Sequence, residues 1–194
     1  MFRVFAFLLT GFVLGAPAAA GSSGDGSVSM SGDAPHVCSF QSVPRQLAGT
    51  NMSLDGASAS SSQINVTQLI DENTARLKSA SIQIEISGTC NGAHNLSLKT
   101  VGGGLSSPEQ VSAVGGAFLT HINYRAEVQW GGQTVVLQTD ATPGKKSPIG
   151  LVNGAYQGSL TVRLVIDGTL NNMTLPTANG VYSDLLIFQI GQPL

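Results

Sequence analysis

The chain has 194 residues, of which only 10% are charged, and its formal net charge is −2. No basic cluster stands along it, so the electrostatic footprint of a nucleic-acid binder is missing. Gly, Ser, Thr and Asn are abundant while Lys and Glu are scarce, a balance that suits short strands and tight turns rather than long surface helices.

The chain opens on Met1-Phe2-Arg3, a short positive start, followed by an apolar run from Val4 to Leu14 that only Thr10 and Gly11 interrupt. Small residues close the segment, with Ala18-x-Ala20 in the form a signal peptidase needs. The apolar core is shorter than the ~20 helical residues that span a bilayer, so residues 1–20 read as a cleaved secretory signal peptide. The expectation is an exported chain with no later membrane span, placed in the periplasm, at the cell surface or outside the cell. Residues 21–35 are Gly/Ser/Asp-rich and read as a flexible N-terminal extension, with one short alternating piece, Val28-Ser29-Met30. Residues 36–194 are about one domain long, enough for a real core. The two cysteines, Cys38 and Cys90, suit an oxidising compartment and are expected to pair, two free buried thiols being the alternative. Closing a loop of about fifty residues would stabilise by roughly 4 kcal/mol.

From His36 onward a period of two dominates. His36 to Val43 reads as a first strand carrying Cys38, and Asn51 to Ser62 as a polar loop or irregular edge. Gln63 to Ile70 alternates as a strand, with a turn at Asp71-Glu72-Asn73. Ile82, Ile84 and Ile86 share one face of a strand that runs to Cys90. Asn91-Gly92 is a turn signal, Leu96 and Leu98 alternate after it, and Gly102-Gly103-Gly104 ends that strand. The best alternation joins Ile122, Tyr124, Ala126, Val128 and Trp130, which places Trp130 in the core. Gly131-Gly132 then turns the chain into Gln133 to Thr139. Leu160, Val162, Leu164 and Ile166 form another apolar face. Val181 to Ile190 is apolar on both faces, as a buried central strand is. About eight strands and no sustained helical period mean an all-β protein, an antiparallel sandwich or barrel.

Residues for catalysis are scarce. His36, His94 and His121 have no metal-ligand spacing. No serine sits in a G-x-S-x-G elbow. Gly144-Lys145-Lys146-Ser147 lacks the earlier glycine of a phosphate loop, since Thr139 holds that place. Asp71, Glu72, Asp140, Asp167 and Asp184 are spread through turns and strand ends. The expectation is a protein that is not an enzyme and has no cofactor and no metal.

Cys38 in the first strand, Ile84-Glu85-Ile86-Ser87-Gly88-Thr89-Cys90 ending a later one, Asn95-Leu96-Ser97-Leu98 just after, and Gly180-Val181-Tyr182-Ser183-Asp184 before the last strand together carry a resemblance. The pattern resembles bacterial pilin-type subunits of the chaperone–usher class, most closely the spore-coat-U-like subunits of the archaic branch. It spans roughly Cys38 to Ile190. The resemblance implies a single immunoglobulin-like antiparallel β-sandwich that lacks its seventh strand. A periplasmic chaperone, and then the N-terminal extension of another subunit, would fill the gap by β-strand addition. Here the donor strand would lie in residues 21–34 with Val28 and Met30 as its inward plugs, unless that stretch is only a linker. The implied function is a fimbrial or pilus-type structural subunit for surface adhesion or biofilm formation. The alternative is a self-complete exported β-sandwich that binds something else and does not polymerise.

Overall fold

The computed structural model describes residues 28–58, 60–107, 118–167, 170, 177 and 179–192. The chain divides between Ala34 and Pro35. Residues 28–34 carry no assigned strand, and the folded part begins at Pro35.

The strands in chain order are β1 (Cys38–Phe40), β2 (Arg45–Thr50), β3 (Met52–Asp55), β4 (Gln63–Val66), β5 (Ala80–Cys90), β6 (His94–Thr100), β7 (Leu105–Ser106), β8 (His121–Ile122), β9 (Arg125–Trp130), β10 (Gln133–Gln138), β11 (Gly150–Val152), β12 (Tyr156–Ile166) and β13 (Leu186–Gly191). Every ladder between them is antiparallel. No α-helix occurs among the described residues. A six-stranded sheet runs β1-β5-β12-β9-β10, with β2 also pairing β5, and a three-stranded sheet runs β11-β6-β13. The protein is an antiparallel β-sandwich.

Strict alternation builds the core. Ile82, Ile84 and Ile86 of β5, Leu160 and Val162 of β12, and Val128 and Trp130 of β9 turn one face of the large sheet inward, each at most 3% exposed. Leu96 and Leu98 of β6 meet them from the small sheet and are equally buried. Trp130 stands in the core as its periodicity predicts. The β9–β10 hairpin turns at Gly131 and Gly132, both at positive φ, 54° and 78°, where glycine carries no steric cost. Beside β10 the sandwich is closed by β11, so tightly that a Cβ on Gly150 would meet Cγ2 of Val135 at 2.8 Å.

Several boundaries differ from the sequence reading. The first strand is only Cys38–Phe40. Beyond it the Ser87 amide donates to Ser42 Oγ at 2.8 Å instead of to a strand carbonyl, and Pro44 has no N–H to continue a ladder. Residues 45–50 form an edge strand that alternation could not reveal, because all six are exposed. The expected loop from Asn51 to Ser62 contains β3, which pairs with β4 as a hairpin after the chain turns at Asn51 (φ 57°). β4 stops at Val66, and Ile70 makes only an isolated bridge to Leu77.

The largest correction concerns the last strand. It begins at Leu186, not Val181, and it is an edge strand rather than a buried central one, paired only with β6. Its apolarity on both faces reflects half-buried Leu186, Phe188 and Ile190 on one side and exposed Ile187 on the other.

Candidate functional site

The small sheet is narrower than the large one, and the shortfall lies beside β13. Along the edge away from β6, no described strand pairs with β13. The gap opens as an apolar groove of about 640 Å3 between β13 and β1. Leu186 and Phe188 form one wall, Phe40 stands on the other, and Ile86, Val162 and Leu164 lie beneath. Phe40 and Phe188 reach across it edge to face, with ring centroids 5.5 Å apart. An edge strand carries a row of unpaired backbone N–H and C=O groups that can template another strand. Here that row borders an apolar trough, so an extended segment could bond along β13 and set alternate side chains inside.

The β3–β4 hairpin folds over part of the same groove. Met52, Leu54, Ile64 and Val66 pack on the core cluster, and the serines of its connecting loop line the groove mouth. One tie from β2 to this hairpin is the Leu54 amide donating to Gln46 Oε1 at 2.9 Å.

Asp184 sets where β13 begins. Its Oδ2 accepts hydrogen bonds from the Thr100 hydroxyl at the end of β6 and from the Tyr124 phenol at 2.7 Å. Its Oδ1 accepts from the amides of Gly102 at 2.7 Å and Leu185 at 2.8 Å. Thr100 is fully buried and Tyr124 nearly so. The carboxylate thus fastens the entry of β13 to the end of β6, to the glycine run after it and to the approach to β9. Burial drives the Tyr124 phenol pKa well above the ordinary tyrosine range; a hydrogen bond with Thr100 opposes this and the Asp184 carboxylate adds to it. Just before Asp184, Ser183 bridges Ser106 of β7, and the Tyr182 hydroxyl donates to the Leu119 carbonyl at 2.7 Å. Asp184 was visible in sequence only as a single acid ahead of an apolar strand. Three of the four donors that converge on it come from residues 60 to 84 positions away, and no local pattern reports them.

Cys38 and Cys90 form the expected disulfide, which pins β1 to β5 beside the groove. His94, fully buried, lies close enough that one ring nitrogen and both sulfurs fall within 4.8 Å of one another. This trio is packing and not a ligand set. The Trp130 indole N–H donates to His94 Nε2 at 2.6 Å. Because indole can only donate, Nδ1 carries the proton and donates to the Gly92 carbonyl at 2.8 Å. Both ring nitrogens are therefore occupied and both sulfurs are joined. His36 bonds the Ala93 carbonyl and His121 the Gly103 carbonyl.

Val28 and Met30 are both exposed, 90% and 94%. Residues 21–27 of the same extension, like residues 1–20, for which a signal peptide is expected, lie outside the described residues. No helix among the described residues is long and apolar enough to cross a membrane. No protein family, no curated protein and no solved structure matches the chain.

Proposed function

We propose that this protein is a strand-accepting structural subunit of the fimbrial type. The observation that carries the reading is the apolar edge of β13, which no strand among the described residues pairs, beside an open groove. Such an edge is an aggregation hazard in a free monomer, and proteins that keep one usually have something to cover it. An extended segment of another polypeptide satisfies both needs at once, with backbone bonds along β13 and apolar side chains in the trough. In this reading the fold is an immunoglobulin-like sandwich one strand short. A periplasmic chaperone covers the groove first, and residues 21–34 of another copy replace it, with Val28 and Met30 entering the trough. The product is a surface polymer serving adhesion or biofilm formation, as the resemblance to chaperone–usher subunits implies.

One observation favours a second reading, a self-complete exported sandwich. The β3–β4 hairpin already covers part of the groove with its own apolar side chains. Gel mobility separates the two. Full-length chain produced in a bacterial periplasm with a cognate chaperone is run in detergent with and without boiling. Strand exchange gives a ladder that collapses to one band on boiling and disappears when residues 21–34 are deleted. A single band in every lane, with a sharp two-state melt of the monomer, overturns the polymer reading and leaves the self-complete one.

A further inference from the structure

The outward face of the large sheet carries a second, chemically different hollow. A shallow cleft of about 410 Å3 crosses four strands, β2, β5, β12 and β9. Thr50, Gln83, Gln129 and Thr161 line it with hydroxyl and amide groups, and Glu127 and Arg163 supply charge. These side chains stand outward because the alternate residues of the same strands build the core. The cleft and the β13 groove are thus on opposite faces of one sheet, and ligand binding in the cleft is independent of strand acceptance at β13.

The charges on this face do not balance. Its outward ionisable side chains on those four strands are Arg45, Arg125 and Arg163 against Glu85 and Glu127. Arg45 pairs with Glu85 at 2.5 Å, and Arg125 with Glu127 at 3.2 Å. The other oxygen of Glu127 accepts from the Gln129 amide at 3.0 Å. Arg163 stands opposite Gln83 on one side and Glu127 on the other, yet among the described residues its guanidinium makes no ion pair and no hydrogen bond. One positive charge is left over in the middle of a hollow, on a chain whose net charge is −2.

A guanidinium offers a planar fork of donors that matches a carboxylate in two parallel bonds. Around it are amides and hydroxyls, which both donate and accept, and a carboxylate that only accepts. No aromatic ring lines the cleft, so nothing there selects a flat apolar ligand. We infer that this cleft binds a carboxylated, polyhydroxylated ligand, a uronic-acid saccharide in chemical class, with its carboxylate on Arg163. Its hydroxyls are met by Gln83, Gln129, Thr161 and Glu127.

The test titrates the full-length protein with a trimer of galacturonic acid and, separately, with the methyl ester of the same trimer, following side-chain and backbone NMR shifts. The acid is expected to shift Arg163 Nε–H and the side-chain amides of Gln83 and Gln129, and to bind at least about tenfold more tightly than the uncharged ester, since hydrogen bonds to charged partners are roughly twice as strong as neutral ones. R163Q removes that preference, and R163K, which keeps the charge but not the fork, recovers only part of it. Arg163 is exposed, so both variants should melt as the parent does, and the melt is recorded alongside. Equal affinity for acid and ester, an R163Q variant that still prefers the acid, or no shifts at these residues at millimolar trimer each overturns the assignment.

Discussion

Replacing Asp184 by alanine tests whether the entry of β13 hangs on one carboxylate. Four hydrogen bonds converge on it, two from side-chain hydroxyls and two from backbone amides. The Leu185 amide belongs to an exposed residue and can turn to water. The Thr100 hydroxyl belongs to a fully buried residue, and the Tyr124 phenol to one 6% exposed. Thr100 Oγ1 would still accept from the Gly103 amide at 3.0 Å, but its proton would lose its acceptor. A buried donor left unmet costs about 1–3 kcal/mol. Two such donors, with partial relief from water entering beside Gly102, give a loss of about 2–5 kcal/mol. At the ~2–4 °C per kcal/mol usual for a domain of this size, the melting temperature should fall by about 4–20 °C. Urea unfolding followed by the fluorescence of Trp130 reads the free energy, and calorimetry reads the shift. Tyr124→Phe removes one bond and leaves no orphan on its own side, so it should cost only about 0.5–1.5 kcal/mol. A loss below about 1 kcal/mol for Asp184→Ala, or one no larger than that of Tyr124→Phe, refutes the reasoning.

Breaking the Cys38–Cys90 bridge frees a loop spanning 52 positions, and the paired serine variant should lose about 4 kcal/mol in urea, with reductant lowering the parent protein to the same level and leaving the variant unchanged. Alkaline pH should also destabilise the fold through Tyr124. Its folded pKa lies above its unfolded one, so the stabilisation is complete below the ordinary tyrosine value of about 10 and declines as pH rises beyond it towards the folded value. Unfolding curves collected above neutrality should show this decline in the parent and a weaker one in Tyr124→Phe; identical pH profiles count against the burial argument.

The strands legible in the sequence were those whose two faces meet different surroundings. β5, β9 and β12 alternate because one side faces the core and the other faces water. The pairing of Cys38 with Cys90 was legible because the chain holds only these two cysteines and its opening residues lead one to expect an oxidising compartment. β2 was not, because a strand exposed on both faces has no hydrophobic period to read. β13 was misread for the complementary reason. Apolar residues on both faces signal central burial in most sheets, and periodicity alone cannot tell that from an edge strand that borders an apolar groove. The groove, likewise, is a tertiary property, set by the small sheet having fewer strands than the large one. The cleft around Arg163 draws its lining from four strands separated along the chain, and only their order in the sheet assembles it.

Two of the sheet edges, β2 and β13, are not alike, and the difference bears on the proposed association of copies. β2 is bulged between Gln46 and Ala48 and carries Arg45, both devices that blunt an edge against pairing. β13 has neither. No charged residue lies between Leu185 and Gly191, its register against β6 is unbroken from Leu186 to Gly191, and Ile187 is 41% exposed on its outer face. An edge without such devices remains open to pairing with another strand. Of these two edges only β13 lacks such devices, which is why the proposed strand addition is assigned to it and not to β2. In the proposed reading the donor would be the extension of another copy, the residues that precede Pro35. Under the proposed reading growth would be directional, each copy receiving at β13 and giving through its N-terminal residues.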